Sequence, residues 1–288
     1  MQKIKLLIEL TRLNKPIGFM LLFWPCIWGL TLVYDFNSSI NNYFFFSLSF
    51  FAGSILMRSA GCIVNDILDK EFDAKVFRTK DRPIASNKVT IKLGVFYTLL
   101  LCFIALLVLL NFNFLTIVLA LGSMPLAFSY PLMKRFTYWP QLFLGITFNY
   151  GLILGWTAVK GQIDLIPVLF YLGAIFWTLG YDTIYGYQDI KDDEIIGLKS
   201  TSIKFKGNEK NFLFVCYALL LILFLIGGYY MEFNHIYYFL TIIPFLHLFF
   251  YQIRVFKSKN PKSCLKIFKS NNVFGLIIFL NILIIKNL

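Results

Sequence analysis

The sequence is poor in the residues from which soluble metal and redox sites are built. Only 15 of its 288 residues are acidic, and only two, His235 and His247, are histidine. Neither histidine has a partner at i+3 or i+4, which argues against a zinc site. The five cysteines form no CxxC pair and four lie within apolar runs, so we interpret them as small buried hydrophobic residues.

What the chain has in abundance is apolar sequence, with 58% hydrophobic and 19% aromatic residues. Apolar runs of about 20 residues, the length that crosses a bilayer as a helix, recur along it. This pattern excludes a soluble globular domain and predicts an all-α polytopic membrane protein, with nine transmembrane helices around a central cavity. The predicted spans are 16–34, 43–64, 91–110, 112–130, 140–159, 164–186, 211–230, 236–253 and 272–286.

The positive charge is distributed unevenly between the loops. Of the 27 basic residues, 24 lie in the N-terminal segment or after even-numbered spans, whereas the alternate loops hold only Lys160 and Lys286. Because cytoplasmic loops carry the excess of Lys and Arg, we expect a cytoplasmic N-terminus. The net charge of +12 is then explained by topology and contacts with lipid headgroups, and not by nucleic acid. Abundant Ile, Lys, Asn and Phe favour an AT-rich bacterial source and hence the cell inner membrane.

Two stretches, 65–81 and 182–194, hold ten of the fifteen acidic residues. Each places three aspartates on one face if it is read as a helix: Asp66, Asp69 and Asp73 in the first, and Asp182, Asp189 and Asp193 in the second. Such rows of like charge require cations between them, and hard cations such as Mg²⁺ take carboxylate oxygens and bridge them to phosphates. The pattern indicates a metal–diphosphate site on the cytoplasmic side. The alternative is an ordinary solvated, charged loop.

Basic side chains follow both acidic stretches. Arg78 and Arg82 carry guanidinium forks that match phosphate oxygens, and Lys199 can act as a point charge. This recurrence suggests two four-helix halves, about 12–135 and 136–255, plus a ninth helix, within a single membrane domain covering 1–288. Apolar walls around a diphosphate site imply a substrate with a long lipid tail, and nothing in the sequence indicates an obligate protein partner.

These motifs resemble those of the UbiA-type intramembrane aromatic prenyltransferases. Asn65-Asp66-x-x-Asp69-x-x-x-Asp73 fits the first family motif, NDxxDxxxD, and Asp189-x-x-x-Asp193 fits the second. The flanking stretches most resemble members that prenylate 4-hydroxybenzoate: Lys15-Pro16-Ile17-Gly18, Trp24-Pro25, Arg58-Ser59-Ala60-Gly61-Cys62, Tyr130-Pro131-x-Met133-Lys134-Arg135 and Asn271-Asn272-x-x-Gly275. One departure is Lys191, where an acidic residue is expected, although it lies off the predicted acidic face.

The resemblance implies a Mg²⁺-dependent transfer of a polyprenyl group from its diphosphate to the carbon ortho to the hydroxyl of 4-hydroxybenzoate, in ubiquinone biosynthesis. It implies that the catalytic residues are Asp69, Asp73, Asp189 and Asp193. These four and Asp66 are the expected metal ligands. The expected substrate-binding residues are Asn65, Asp66, Arg78, Arg82, Arg58, Asp182, Lys199, Lys134, Arg135 and Arg12.

Several assignments stay open between a structural and a functional role. Arg58 can pair with a motif aspartate or bind a substrate carboxylate or diphosphate, and Arg12 can anchor the topology or enter the site. Lys134 and Arg135 can bind the benzoate carboxylate or orient the chain in the membrane. The acceptor itself can be homogentisate, a naphthoate or haem, which relatives prenylate.

Two other classes of protein also use spaced acids in membrane helices. A phosphatidyltransferase motif requires Gly after D-x-x-D, where this chain has Lys70. A cation-coupled transporter places acids near the middle of the membrane, often in inverted repeats, whereas here they lie at one face of halves that run in the same sense. Both alternatives are therefore disfavoured.

Overall fold

The fold was analysed in a computed structural model, which describes residues 2–288, with side chains from residue 4 onward. Within this part of the chain all regular structure is helical. The α-helices are α1 Gln2–Thr11, α2 Ile17–Val33, α3 Ile40–Leu68, α4 Lys70–Asp73, α5 Ile91–Leu109, α6 Phe114–Ser129, α7 Met133–Phe136, α8 Pro140–Asn149, α9 Gly151–Lys160, α10 Leu165–Gly186, α11 Ile190–Ile195, α12 Thr201–Lys204, α13 Glu209–Tyr230, α14 His235–Leu240, α15 Ile242–Phe245 and α16 Pro261–Lys286.

Eight helical segments in residues 2–288 are long and apolar enough to cross a membrane, and they coincide with the second to ninth predicted spans. The first predicted span is α2, a 17-residue apolar helix at the lower end of the length that spans a bilayer. The prediction of an all-α polytopic membrane protein is confirmed. The count of nine crossings and the cytoplasmic N-terminus stay predictions.

Two of the predicted spans depart from a regular α-helix along their length. The fourth span contains Pro125 within α6 and then tightens into a 3₁₀ turn, Tyr130–Leu132, before α7. The eighth span passes from α14 and α15 into a π-helical stretch, Leu246–Ile253.

The last helix is longer than predicted, beginning at Pro261 and not at residue 272. Asn260 caps it by accepting hydrogen bonds from the backbone N–H groups of Lys262 and Ser263 at 3.1 and 3.2 Å. Lysines in its first turns interrupt the apolar run, so hydropathy alone does not reveal where the helix begins. A capping asparagine followed by proline at the first helical position is nevertheless a strong signal for a helix start.

The helix α2 is the centre of the bundle and packs against α3, α9 and α16. A Cβ at Gly29 would overlap the backbone carbonyl of Leu152 in α9, so these two helices meet almost backbone to backbone. On its other side Trp28, which is fully buried, donates from Nε1 to the carbonyl of Gly275 in α16 at 2.9 Å. This close packing across both predicted halves leaves a polar cavity at one end of the bundle.

Candidate active site

The cavity has a volume of about 1080 Å³ and brings together most of the residues that the sequence singles out. Ten of the fourteen predicted site residues line it: Arg12, Arg58, Asn65, Asp66, Arg78, Arg82, Lys134, Asp182, Asp193 and Lys199. The other four, Asp69, Asp73, Asp189 and Arg135, lie behind the wall and form ion pairs with lining residues or with one another. Residues from both halves of the chain therefore meet in one site.

The first acidic motif is deeply buried. The side chains of Asp66 and Asp69 are 1% exposed, and Asp73 is also buried. Helix α3 ends at Leu68, yet the backbone N–H of Asp69 still donates to Asn65 O at 2.9 Å and that of Asp73 to Asp69 O at 2.8 Å. The helical spacing thus continues through the motif. Carboxylates this buried require positive partners.

Asp66 and Asp73 share one arginine. Arg82 Nη1 lies 2.6 Å from Asp73 Oδ2 and 3.2 Å from Asp66 Oδ1, and Arg12 also forms an ion pair with Asp66. Arg12 has a φ of +55° directly after α1, and the N–H of Leu13 donates back to Ile8 O at 3.2 Å. This left-handed cap, unusual for a residue with a Cβ, ends the helix and directs Arg12 into the cavity.

Asp69 has different partners although it belongs to the same motif. Its Oδ2 lies 2.6 Å from Lys134 Nζ, and Arg135 Nη2 lies 3.7 Å from its Oδ1 and donates to Leu68 O at 2.5 Å. Burial raises the pKa of Asp69 above its ordinary value, although the charge of Lys134 opposes this. Lys134 and Arg135 therefore hold the C-terminal end of α3, a position where cations also favour the helix dipole.

The second acidic motif is not the continuous helical face that its spacing predicts. Helix α10 carries Asp182 and ends at Gly186, and α11 begins only at Ile190, after Asp189. The hydroxyl of Ser202 donates to Thr183 O at 2.7 Å and occupies the space that a Cβ at Gly186 would need. Glycine and this competing hydroxyl end the helix, because both weaken its continuation.

Arg78 joins the second motif to the loop that follows the first. Its Nε donates to Asp189 Oδ1 at 2.7 Å, its Nη2 binds Asp189 Oδ2, and its Nη1 donates to the hydroxyl of Tyr185 at 3.0 Å. The backbone N–H of Phe77 also donates to Asp192 Oδ2 at 3.3 Å. The two acidic motifs, more than 100 residues apart, thus form one structure.

Asp193 lines the cavity and belongs to α11, the short helix that begins directly after Asp189. Burial, and then the nearby charge of Asp189, raise the pKa of Asp193 to about 6. Lys191, which departs from the family pattern, is exposed and lies outside the cavity lining. Its position agrees with the expectation that it lies off the acidic face.

The sequence left two possible roles for Arg58, and the structure does not show the first of them, an ion pair with a motif aspartate. Within residues 2–288 no carboxylate oxygen lies within 4.0 Å of it, and its guanidinium instead lies over the ring of Phe148, 5.3 Å from the centroid. Asp182 likewise forms no ion pair in this part of the chain. Both side chains line the cavity and can therefore face a ligand.

Four of the five predicted metal ligands, Asp66, Asp69, Asp73 and Asp189, form ion pairs with several basic side chains. Within residues 2–288 no three acidic, histidine or cysteine side chains converge on one point. Two buried carboxylate oxygens, Asp66 Oδ2 and Asp69 Oδ1, nevertheless accept no hydrogen bond. Unpaired buried oxygens are costly, and carboxylate oxygens are the ligands that Mg²⁺ prefers, so the donor set fits a hard divalent cation.

A second, apolar chamber of about 210 Å³ adjoins the cavity. Arg58, Tyr130 and Phe148 belong to the walls of both. The chamber extends between α2, α3, α5 and α6, and its lining includes Leu22, Phe50, Met57, Leu106, Met124 and Phe128. A molecule with a charged head and an apolar tail can thus occupy both spaces at once.

Sequence reasoning missed two aromatic residues of this site. Tyr185, which binds Arg78, lies three residues after Asp182 and so on the same helical face, a spacing that identifies it. Phe148 contacts Arg58 but is one of 33 phenylalanines, and no sequence signal separates it from those that face lipid.

The fold and the site together define a polytopic membrane protein in which a polar cavity adjoins an apolar chamber. The chain belongs to the UbiA prenyltransferase family, which it matches over residues 22–282. The resemblance inferred from the two motifs is confirmed.

Two relatives are similar to the chain in sequence, and one solved structure is similar to it in fold. It is 50% identical over 203 residues to the mitochondrial 4-hydroxybenzoate polyprenyltransferase of Arabidopsis thaliana, covering 70% of this chain but only 49% of that protein. It is 44% identical over 287 residues to the protein of the same name from Bos taurus, covering 96% of this chain and 74% of that one. A UbiA homologue from Archaeoglobus fulgidus bound to GPP and Mg²⁺ shares the fold, with a TM-score of 0.69 and 16% identity over 98% of this chain and 100% of that chain.

Proposed function

We propose that this protein transfers a polyprenyl group from polyprenyl diphosphate to the ring carbon ortho to the hydroxyl of 4-hydroxybenzoate, as a step of ubiquinone biosynthesis. The observation that carries the proposal is the junction of an apolar chamber with a cavity that is lined by residues from both acidic motifs. The names of the Arabidopsis and Bos taurus relatives support the acceptor, and the ligands of the Archaeoglobus homologue agree with a prenyl diphosphate and Mg²⁺.

The acidic end of the cavity receives the diphosphate. Asp66, Asp69, Asp73, Asp189 and Asp193 would hold Mg²⁺, which would supply positive charge to the leaving diphosphate. Arg12, Arg78 and Arg82 are paired with these carboxylates in the structure. Once a cation occupies the carboxylates, the same guanidinium groups can turn to phosphate oxygens, for which their forked geometry is suited. Asn65 and Lys199 line the same cavity and supply further polar contacts.

The acceptor lies nearer to the apolar chamber. Arg58, which has no carboxylate partner within residues 2–288, binds the benzoate carboxylate. Asp182 accepts a hydrogen bond from the phenol, and this hydrogen bond makes the ring more nucleophilic. The prenyl C–O bond breaks with its electron pair going to diphosphate, a ring carbon forms the new C–C bond, and that carbon loses its proton. Apolar walls exclude water, which would otherwise trap the allylic cation.

We place the site at the cytoplasmic face of a bacterial inner membrane. Support comes from the 24 basic residues that lie on one side of the predicted topology. The two relatives carry the designation mitochondrial, so the competing location is a mitochondrial membrane. Reporter fusions at the N-terminus and after Lys160 distinguish the two sides: only the first should be active with a cytoplasmic reporter. The reverse pattern contradicts the orientation.

The proposed function is tested by prenyl transfer in membranes that contain the chain. The assay supplies 4-hydroxybenzoate and a polyprenyl diphosphate, with Mg²⁺ or with EDTA. We expect 3-polyprenyl-4-hydroxybenzoate only with Mg²⁺, and a loss of at least about 100-fold in Asp69→Ala, because a buried group at the charged end is removed. The matched control is Lys191→Ala, an exposed change outside the cavity, which should keep wild-type activity.

The acceptor and the reaction are tested separately by the same assay. Product with homogentisate or a naphthoate, but none with 4-hydroxybenzoate, would keep the reaction and replace the acceptor. The absence of transfer to any aromatic compound would contradict the enzymatic function and return attention to cation-coupled transport.

A further inference from the structure

Tyr185 lies on the last turn of α10, and its side chain contacts Arg78 in two ways. The hydroxyl accepts a hydrogen bond from Arg78 Nη1 at 3.0 Å, and the guanidinium lies over the ring, 5.4 Å from its centroid. Because Arg78 Nε and Nη2 bind Asp189, every nitrogen of the guanidinium is engaged. Tyr185 itself lines the cavity. It therefore holds the basic side chain that connects the two acidic motifs.

The ring of Tyr185 is itself supported from the last helix. Phe268 of α16 lies 4.4 Å away, measured between ring centroids, and also contacts Tyr181 at 5.8 Å. Phe268 and Tyr181 line the cavity as well. Aromatic contacts of this kind restrict the rotamers of the rings that form them. The ring of Tyr185 thus contacts both Arg78 and Phe268.

The last helix is fixed by buried amide groups just beyond Phe268. Asn271, which is fully buried, accepts hydrogen bonds from Trp177 Nε1 at 2.7 Å and Gln252 Nε2 at 3.0 Å. Asn272 accepts one from Trp24 Nε1 at 2.9 Å. Buried hydrogen bonds between side chains of different membrane helices determine the register of those helices. The Asn271-Asn272-x-x-Gly275 motif accordingly anchors the helix that supports Tyr185.

We propose that Tyr185 is a positioning residue, which holds Arg78 in place to receive the diphosphate of the prenyl donor. The inference rests on the proposed function, since it takes Arg78 as a diphosphate ligand. The Arg78 side chain is 36% exposed and would otherwise sample many rotamers. Holding one rotamer before the ligand arrives reduces the entropy lost on binding. If Asp189 were to bind a metal ion in place of Arg78, the contacts with Tyr185 would still keep the guanidinium at the cavity.

The first test is binding of inorganic pyrophosphate with Mg²⁺ to the purified full-length protein, measured by isothermal titration calorimetry. We expect Tyr185→Phe, which keeps the ring and removes the hydroxyl, to weaken the affinity about three- to tenfold, because a hydrogen bond to a charged group is lost. The KM for the prenyl donor should rise by a similar factor. The KM for 4-hydroxybenzoate should change less than twofold, a separation that general loosening of the fold would not produce.

Tyr187→Phe is the matched control. Tyr187 lies two residues further on, its buried hydroxyl makes no hydrogen bond within the described part of the chain, and it is not part of the cavity lining. Removal of the Tyr187 hydroxyl should leave the affinity for pyrophosphate within twofold of the wild-type value. Thermal melting of both tyrosine variants in detergent should match wild type.

A double-mutant cycle with Arg78→Lys tests whether Tyr185 acts through Arg78. Lysine cannot reproduce the forked contacts, so adding Tyr185→Phe to Arg78→Lys should change the affinity less than twofold. Equal losses in both backgrounds, or an unchanged affinity in Tyr185→Phe, would overturn the inference while leaving the proposed function intact. A wild-type protein that binds no pyrophosphate with Mg²⁺ would overturn both.

Discussion

The two acidic motifs occupy the same cavity but are built differently. The first is inside the protein: Asp66 and Asp69 are 1% exposed and are surrounded by Arg12, Arg82 and Lys134. The second is more open: the side chain of Asp189 is 14% exposed, and its one ion pair within residues 2–288 is with Arg78, itself 36% exposed. The first motif is thus part of the folded core, whereas the second depends on a residue supplied from the loop after the first.

This difference separates stability from ligand binding. Breaking a buried ion pair leaves a charge without a partner, whereas an exposed pair contributes little to stability because water replaces it. Changes in the first motif should therefore affect both folding and activity. Changes in the second should affect activity and substrate binding while leaving the fold intact.

The largest effect is expected from Asp66→Ala. It removes the shared partner of Arg12 and Arg82, and should lower the free energy of unfolding by about 2 to 4 kcal/mol as well as abolish activity. The measurement is chemical unfolding in detergent micelles, with Asp189→Ala as the comparison variant. Asp189→Ala should also lose activity but less than about 1 kcal/mol of stability. Equal destabilisation by the two variants would remove the distinction between the motifs.

An intermediate effect is expected from Arg78→Ala. We expect the KM for the prenyl diphosphate to rise about tenfold or more, because a charge-assisted phosphate contact is lost, with little change in the unfolding midpoint. Arg82→Ala should raise KM similarly but also lower stability, since it leaves Asp66 and Asp73 with less compensation. Steady-state kinetics and thermal melting of both variants measure the contrast. A midpoint that falls as far in Arg78→Ala as in Arg82→Ala contradicts it.

The smallest effect is expected from Lys206→Ala. This change breaks the ion pair between Lys206 Nζ and Glu194 Oε1, at 2.6 Å, on the outer side of the second motif, where the lysine is 59% exposed. Exposed pairs contribute about 0 to 1 kcal/mol, so activity and melting temperature should remain close to wild type. A clear loss of activity would mean that the outer surface of the second motif also takes part in the site.

Much of the membrane fold and the content of the site could be predicted because both depend on local patterns. Apolar runs locate the membrane helices, and the i to i+7 spacing correctly brings Asp66 and Asp73 to the same side, where they share Arg82. The same spacing rule was wrong for the second motif, since the helix ends at Gly186. That ending depends on Ser202, which comes from a later part of the chain.

The partners of the basic residues could not be predicted from sequence. The sequence did not decide whether Lys134 and Arg135 bind the acceptor or orient the chain in the membrane. In the structure both form ion pairs with Asp69. Arg58 left a choice between an ion pair and a ligand contact, and the structure gives it no carboxylate within residues 2–288. These outcomes depend on which helices pack against one another, and the composition of the chain does not specify this.

The sequence by itself determined that the chain is a bundle of membrane helices with two acidic motifs and an excess of basic residues in alternate loops. These properties follow from periodicity and composition, which act over a few turns of helix. Only the tertiary structure decided that Arg78 binds Asp189 and Tyr185, and that an apolar chamber opens beside Arg58. Partner choice and cavity shape arise where distant segments pack together, because charge and volume must be satisfied there by whichever side chains the fold makes neighbours.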